Sequence, residues 1–144
     1  MTNITLTILK QPTAEQIADI FKLFVQADFA EQAADFAWLA EALNGSLLAV
    51  AAQDDSSGRI IGFARALGDG ASDCYIQDVV VASEYRRQGI GRKLMEFMLK
   101  ELAAKNIDWV GLIATPGKSE FYRQLGFEAM TDFTPMLLKN TTTK

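Results

Sequence analysis

Alternating and periodic hydrophobic positions divide the N-terminal third of the chain into predicted elements. Ile4, Leu6 and Ile8 alternate with threonines, which is the pattern of a half-buried strand. Thr13-Ala14-Glu15-Gln16 has the form of a capping box and begins a helix with the apolar positions Ile17, Ile20, Phe21 and Phe24. An alanine-rich stretch over residues 31–43, closed by Asn44-Gly45, predicts a second helix.

The rest of the chain continues this pattern of short elements. Residues 46–53 and 59–67 predict two strands joined by a polar turn, and residues 73–82 predict a third. A helix follows, in which Leu94, Phe97, Met98 and Leu102 recur at helical spacing. Residues 109–115 predict another strand, a short helix ends near Leu125, and residues 133–139 predict a last strand. The order β-α-α-β-β-β-α-β-α-β indicates a mixed α/β sheet in one domain over residues 1–144, with residues 140–144 frayed.

The strand at residues 73–82 passes to its helix through Arg86-Arg87-Gln88-Gly89-Ile90-Gly91, here called the glycine turn. Glycine permits a sharp backbone turn and lets a ligand approach without a Cβ in the way. The free N–H groups of the helix's first turn and the positive end of its dipole face whatever binds there. Four cations flank the turn, namely Arg86, Arg87, Arg92 and Lys93. The sequence therefore predicts a phosphate cradle, although it has neither the third glycine of a dinucleotide fingerprint nor the Walker pattern.

Composition narrows the class of protein. No uninterrupted apolar run approaches the roughly 18 residues that a membrane span needs. The chain starts Met1-Thr2-Asn3, without the basic region of a signal peptide. A net charge of −4 and a pI near 4.8 argue against nucleic-acid binding, which depends on neutralising phosphates. We expect a cytoplasmic protein without a membrane or nucleic-acid partner.

The sequence has one cysteine, Cys74, and no histidine. A disulfide framework, Ser-His-Asp and Cys-His catalysis and His-ligated zinc are therefore all excluded, and we expect no metal site. Acid–base chemistry falls to Asp, Glu, Tyr, Lys, Cys or water. Acyl transfer from a thioester to an amine tolerates this limit, because the amine is itself the nucleophile.

Two motifs resemble one protein family. The order Arg-x-x-Gly-x-Gly after a strand resembles the acyl-CoA-binding signature of the GNAT superfamily of N-acetyltransferases. About thirty residues downstream, Ser119-Glu120-Phe121-Tyr122-Arg123-Gln124-Leu125-Gly126-Phe127 is similar to the family's late Phe-Tyr-x-x-Leu-Gly-Phe segment. The resemblance implies the acyl-CoA N-acyltransferase fold, with a mostly antiparallel central sheet flanked by helices, and an enzyme that uses acetyl-CoA as acyl donor.

The resemblance also implies the residues that hold acetyl-CoA. Backbone amides of the glycine turn bind its pyrophosphate, at positions Arg86, Arg87, Gln88, Gly89, Ile90, Gly91 and Arg92. The backbone of Val79, Val80 and Val81 pairs with the pantetheine arm, and one of these amides stabilises the oxyanion. Thr115 stands where the family often has an asparagine that contacts pantetheine, so this contact is expected to be weaker or to be made by another group. Tyr122 is the family's general acid, returning a proton to the CoA thiolate; the alternative is that Tyr122 only packs against the sheet.

The general base is a separate prediction. Asp78 is a charged residue inside a β-rich run, beside the implied acyl site, and is the candidate base directly or through a water. A structural, hydrogen-bonded role is the alternative. Glu84 and Asp73 are further candidates near the strand ends. Cys74 as an acyl-carrying nucleophile lacks the histidine that would activate it.

The resemblance implies an acceptor pocket built from the first two helices and the strands that face the thioester. Aromatic and acidic candidates there are Phe29, Phe36, Trp38, Phe63, Asp35, Glu41, Asp69 and Asp73. Such a pocket suits a small cationic amine, and each residue has an ordinary core or surface role as its alternative. Acetylation of a protein N-terminus or lysine, a non-catalytic acyl-CoA-binding module, and a homodimer stay open.

Overall fold

The structure, a computed structural model, describes residues 1–139. It divides into two compact units, Met1–Leu112 and the chain from Ile113 onward. Within the described residues no helix is long and apolar enough to cross a membrane. The predicted frayed tail, residues 140–144, lies outside the described part of the chain.

The first unit is built on a five-stranded sheet whose spatial order follows the sequence. Its strands are β1 (Ile4–Ile8), β2 (Leu48–Asp54), β3 (Ile60–Gly68), β4 (Asp73–Val81) and β5 (Trp109–Leu112). The first three pairings are antiparallel, and β4 pairs with β5 in parallel. A parallel pairing needs a long crossover, which the helix between these strands supplies. The prediction of a mixed, mostly antiparallel sheet flanked by helices is confirmed.

Among the described residues, three α-helices belong to the first unit and one to the second: α1 (Ala14–Gln26), α2 (Ala37–Asn44), α3 (Ile90–Ala104) and α4 (Ser119–Arg123). The predicted capping box opens α1, because the Gln16 N–H donates to Thr13 Oγ1 at 3.1 Å and the Thr13 N–H donates to Gln16 Oε1 at 2.9 Å. These two bonds satisfy N–H groups that the start of a helix otherwise leaves without partners.

Helices cover both faces of the sheet. Gly62 and Phe63 are neighbours in β3, so their side-chain directions point to opposite faces. A Cβ at Gly62 would lie 3.6 Å from Leu94 of α3, whereas the ring of Phe63 lies 5.9 Å from that of Phe24 in α1. The core therefore has two layers, one under α3 and one under α1, which explains why β2 and β3 are buried almost continuously.

Three predicted elements differ from the structure. The second helix begins at Ala37 rather than residue 31, because Asp35 Oδ1 accepts from the Ala37 N–H at 3.0 Å and stops the helix from extending backwards. β5 ends at Leu112 rather than residue 115. Residues 133–139 form no strand in the described structure. Pro135 cannot donate to a ladder, and the apolar side chains around it are exposed.

Candidate functional site

The glycine turn lies between the end of β4 and the start of α3. A short 3-10 helix, Ser83–Tyr85, follows β4, and Gly89 is the N-cap residue of α3. Two residues of the turn have left-handed backbones, Arg87 at φ 63° and Gly89 at φ 74°. The left-handed region costs an L-residue such as Arg87 about 1–2 kcal/mol, so surrounding contacts must hold Arg87 in this conformation.

The first turn of α3 has no side-chain cap. Its N–H groups have no partners inside the helix, and the helix dipole places partial positive charge at the same point. A Cβ at Gly89 would meet no atom within 4 Å, so the space before this turn is open. Ile90 is buried and fixes the start of the helix to the core. The geometry fits an anionic group such as a pyrophosphate at this end of α3.

Of the four cationic side chains in and beside the glycine turn, two interact with other groups of the protein. Arg86 Nε donates to the Val81 carbonyl at 3.3 Å, and Arg92 Nε pairs with Glu96 Oε1 at 2.7 Å. Arg87 and Lys93 are exposed and make no ion pair with any residue in the described range. The guanidinium of Arg87 is thus the free charge nearest the left-handed part of the turn.

The three valines, Val79–Val81, occupy the end of β4 beyond its pairing with β5. β5 pairs only with Asp73–Ile76, so from Gln77 onward β4 keeps β3 as its one strand partner in the first unit. Val80 is buried and its two neighbours are partly exposed. The backbone of this segment therefore has one edge that no strand of the first unit covers.

Asp78 forms a bulge in β4. Phe63 pairs with Val80 and Arg65 pairs with Gln77, so Asp78 and Val79 together face one residue of β3. The backbone of Asp78 is left-handed, with φ 59°, a conformation that aspartate tolerates better than most residues. The bulge re-aims β4 next to the valines that the resemblance assigns to the acyl-CoA.

Asp78 is ion-paired with Arg65, a residue that the sequence analysis missed. Asp78 Oδ2 lies 2.6 Å from Arg65 Nε, and the two side chains are only 22% and 14% exposed. Arg65 also donates to Gln77 Oε1 at 3.4 Å and Ser46 Oγ at 3.5 Å. The signal was available, because Arg65 interrupts the apolar run of β3 as Asp78 interrupts that of β4. A base at Asp78 would have to act through its second oxygen, Oδ1.

Among the other acidic candidates, Asp69 has structural partners, whereas Asp73 and Glu41 are surface residues. Asp69 Oδ1 accepts the N–H groups of Ala71 and Ser72 at 2.8 and 2.9 Å in the β3–β4 turn. The backbone bonds from Ser72, Ala71 and Asp73 lower the pKa of Asp69 to about 2. Asp69 thus stabilises the β3–β4 turn, because its carboxylate accepts hydrogen bonds from backbone N–H groups. Asp73 is exposed at the start of β4, and Glu41 is exposed on α2.

Glu84 and Cys74 are also constrained. A hydrogen bond from its own backbone N–H and one from Ser83 lower the pKa of Glu84. Burial, together with the nearby negative charges of Asp69 and Asp73, raises the pKa of the Cys74 thiol. A reactive thiolate needs the opposite shift, so the structure gives no support to an acyl-carrying Cys74.

The aromatic candidates form one cluster around α1 and α2. Phe36 stacks on Phe21 with ring centroids 4.6 Å apart, and the rings of Phe29 and Trp38 lie 5.8 and 6.3 Å from that of Phe24. Phe29, Phe36 and Trp38 are 37–45% exposed, so each offers a ring face or edge to a ligand. Phe63, by contrast, is fully buried and belongs to the core, not to a pocket surface.

Tyr122 and Thr115 belong to the second unit. Tyr122 lies on α4, and its ring packs edge-on against Phe121 at 5.0 Å and Phe127 at 5.8 Å. Burial raises the pKa of Tyr122, which keeps the phenol protonated and able to donate. Thr115 is exposed, and its carbonyl accepts from the Lys118 N–H at 3.0 Å in the turn before α4. Within residues 1–139 no group of three or more potential metal ligands is present.

Comparison with known proteins identifies the family. Residues 44–129, more than half of the chain, match the family model of the acetyltransferase (GNAT) domain. A GNAT-family acetyltransferase of Streptococcus pneumoniae TIGR4 is 30% identical, and its structure superimposes with a TM-score of 0.78 over 97% of this chain and 100% of that one. This chain belongs to the GNAT family of acetyltransferases.

Curated relatives match the chain over shorter segments. Serotonin N-acetyltransferase 2, chloroplastic, of Oryza sativa subsp. japonica is 42% identical over 72 residues, which are 50% of this chain and 36% of that protein. A histone acetyltransferase of Glycine max is 44% identical over 71 residues, 49% of this chain and 31% of that protein. The chain spans about half or less of the length of the curated relatives that it matches.

Proposed function

We propose that the protein transfers the acetyl group of acetyl-CoA to a primary amine of a small molecule, by direct attack in a ternary complex. The observation that carries this proposal is the uncapped start of α3 behind two left-handed residues, Arg87 and Gly89. Backbone N–H groups at such a turn suit a pyrophosphate, and the open space before Gly89 lets a phosphate approach closely. Membership of the GNAT family supports acetyl-CoA as the donor.

The acyl end of the donor would lie along Val79–Val81. The edge of β4 that faces away from β3 carries backbone groups that can pair with the pantetheine amides. An N–H of this segment would then stabilise the negative charge on the carbonyl oxygen as the amine attacks, which is where electrostatic catalysis acts most strongly. Thr115 would contribute at most a hydroxyl contact to the pantetheine.

Two side chains would handle the protons. Asp78 would take the proton of the attacking ammonium through Oδ1, directly or by way of a water, while Oδ2 stays on Arg65. Tyr122 would donate a proton to the departing CoA thiolate, since burial keeps its phenol protonated. In this scheme the ammonium loses one proton to Asp78 before the attack and a second to solvent after it. Tyr122 protonates the thiolate and is reprotonated from solvent, so one proton is released overall and no metal or covalent acyl-enzyme is needed.

The acceptor class is proposed from the aromatic cluster. The partly exposed rings Phe29, Phe36 and Trp38 suit an arylalkylamine, whose ring can stack while its ammonium faces an acidic group. One relative is named for serotonin, an amine of this kind, and another for histone, a protein. We favour the small amine because aromatic surface is what this chain presents, and we place the reaction in the cytoplasm.

Release of free CoA thiol separates the alternatives. The protein is mixed with acetyl-CoA and, in turn, arylalkylamines, polyamines, and peptides with a free N-terminus or lysine. The proposal expects thiol release only with an amine, and fastest with arylalkylamines. Faster release with peptides would overturn the acceptor assignment. CoA binding without release for any amine would identify a non-catalytic binding module.

A matched pair of glycine variants tests the cradle. Gly89 and Gly70 both have left-handed backbones, at φ 74° and 78°, and a Cβ added at either would meet no atom closer than 3.7 Å. Alanine at either position should therefore cost a similar strain of about 1–2 kcal/mol. Only Gly89→Ala should also weaken CoA binding in calorimetry, by about tenfold or more, because its Cβ occupies the approach to the turn. Equal CoA affinities in the two variants would overturn the cradle.

A further inference from the structure

The glycine turn and the short helix before it are tied to the rest of the first unit by side-chain hydrogen bonds. Tyr85 Oη donates to Asp54 Oδ2 at 2.7 Å, and the Ser83 N–H donates to Gln26 Oε1 at 2.7 Å. Within the turn itself, Gln88 Oε1 accepts from the Thr2 N–H at 2.9 Å. These bonds come from the end of β2, the end of α1 and the N-terminal segment, so the turn is fixed from three directions.

Asp54 is the unusual member of this set. It is 5% exposed, and no other charged side chain within residues 1–139 is buried. A buried carboxylate is tolerated only when hydrogen bonds replace its water. Ser56 supplies two of them from the same hairpin, through its N–H at 3.0 Å and its Oγ at 2.9 Å. The hydroxyl of Tyr85 donates to the second carboxylate oxygen of Asp54, Oδ2. The hydrogen bonds from Tyr85 and Ser56 together lower the pKa of Asp54.

Tyr85 has open space on one side. It lines an open surface pocket of about 600 Å³ that also borders Met1, Thr2 and Asn3. Beside this open space, the bond from its hydroxyl to Asp54 anchors the end of the ring at 2.7 Å. Tyr85 is followed directly by Arg86 and the left-handed Arg87, so a shift of Tyr85 changes the direction of the N–H groups that follow.

We propose that the partly buried Tyr85–Asp54 hydrogen bond positions the glycine turn for acyl-CoA. This inference rests on the proposed function, since it needs the turn to be the site that holds acyl-CoA. Tyr85 and Asp54 are positioning residues: neither contacts the reacting atoms, and both act by holding Arg87 in a conformation that its own backbone disfavours. A bond that only stabilised the fold would leave the affinity for CoA unchanged.

Tyr85→Phe tests the proposal because it removes one hydroxyl and keeps the ring. The matched control is Thr5→Val, which removes a hydroxyl bonded to Asp55 Oδ1 at 2.6 Å in the same hairpin and leaves the Tyr85–Asp54 bond in place. Changes that touch neither ligand typically alter binding about two- to thirtyfold, and we expect Tyr85→Phe to raise the Kd for CoA and the KM for acetyl-CoA within this range. The kcat and the KM for the amine should stay near those of the unaltered protein.

The outcomes distinguish the two proposals. If Thr5→Val and Tyr85→Phe bind CoA as tightly as the unaltered protein, the positioning role is wrong and the proposed function stands. If the unaltered protein and Thr5→Val both fail to bind CoA, the proposed function is wrong and the positioning role falls with it.

Should Tyr85→Phe not fold, Asp54→Asn takes its place, because it keeps the side chain's shape and one hydrogen-bond acceptor while removing the charge. A selective rise in Kd for CoA is expected there too, and an unchanged Kd would overturn the positioning role.

Discussion

The residue with the most specific proposed chemistry is Tyr122. Its ring is held edge-on by Phe121 and Phe127, and burial raises the pKa of its phenol above the usual 10. A group that must donate a proton benefits from this direction of shift, because the phenol stays protonated through neutral and mildly alkaline pH. Its ionisation would end catalysis only above pH 10.

Tyr122→Phe should therefore lower kcat and leave the KM for acetyl-CoA almost unchanged. The lost hydroxyl is needed only as the thiolate leaves, and general acid catalysis contributes about 100- to 10,000-fold. Single-turnover measurement gives the chemical step even if product release limits kcat. The variant's rate should also lack the decline above pH 10. The contrasting control is Tyr85→Phe, which should raise KM and spare kcat. An unchanged single-turnover rate would leave Tyr122 as a packing residue.

Asp78 shows how far single residues can be predicted from sequence. A charge inside an apolar β-rich run identified it as a functional candidate, and the same pattern in β3 would have identified Arg65. The ion pair between them and the left-handed backbone at Asp78 depend on the register of β3 against β4. Register is set by tertiary pairing, which one strand's sequence does not contain. The role of Asp78 as base stays a prediction.

At the scale of elements, local signals predicted the strands and helices that have clear boundaries. The capping box opened α1 and the glycine turn opened α3 at the expected residues. Where a residue that ends or opposes an element lay inside a predicted element, the predicted bounds or the element itself were wrong. Asp35 starts α2 late, and Pro135 opposes a strand over residues 133–139. Elements on which the site depends were thus among the better predicted ones.

The β3–β4 turn offers a test of an element through pH. Three backbone N–H groups bind the Asp69 carboxylate and hold its pKa at about 2, below its ordinary value of 3.8. A lowered pKa means that the ionised group stabilises the fold. That stabilisation is complete above the ordinary pKa and is lost as the pH falls through about 2. We therefore expect acid to weaken this turn in a narrow range.

Asp69→Asn should reduce the free energy of unfolding at neutral pH and have little effect in strong acid. Urea unfolding at a series of pH values should show the difference between the two proteins shrinking below pH 3.8 and closing near 2. Asp108→Asn, which removes an equal charge from an exposed position before β5, separates loss of the turn's bonds from loss of a charge. A difference that does not change with pH would mean that Asp69 does not stabilise the turn as a carboxylate.

For the whole molecule, the order of elements up to α4 and the family were predictable, and the site's inner contacts were not. Two motifs in the right order sufficed for the family because glycine and aromatic positions are specified locally. The hydrogen bonds that Tyr85 donates to Asp54 and Ser83 donates to Gln26 join residues 31 and 57 positions apart. Such pairs become neighbours only when the sheet and helices are assembled, so no local pattern indicates them.

The molecule's charge is also distributed unevenly. Its net charge is −4, yet the glycine turn concentrates cations, of which Arg87 has no ion-pair partner within the described residues. A polyanion such as CoA is repelled by the net negative charge of the protein and attracted by the cations of the glycine turn. These two effects have different ranges, because salt screens charges beyond about 10 Å at 0.1 M and beyond about 3 Å at 1 M. Salt dependence can therefore separate them.

Arg87→Gln should weaken CoA binding by about fivefold at 0.1 M salt, since one unscreened charge contact is worth about 1 kcal/mol. Lys105→Gln is the matched control: it removes the same charge at the opposite end of α3, about 22 Å away along the helix. At 0.1 M the control should bind CoA normally, and at about 0.01 M, where screening extends to about 30 Å, both variants should bind more weakly. At 1 M the loss in Arg87→Gln should largely vanish. Equal losses in both variants at 0.1 M would mean that CoA responds to the net charge alone and that Arg87 has no local role.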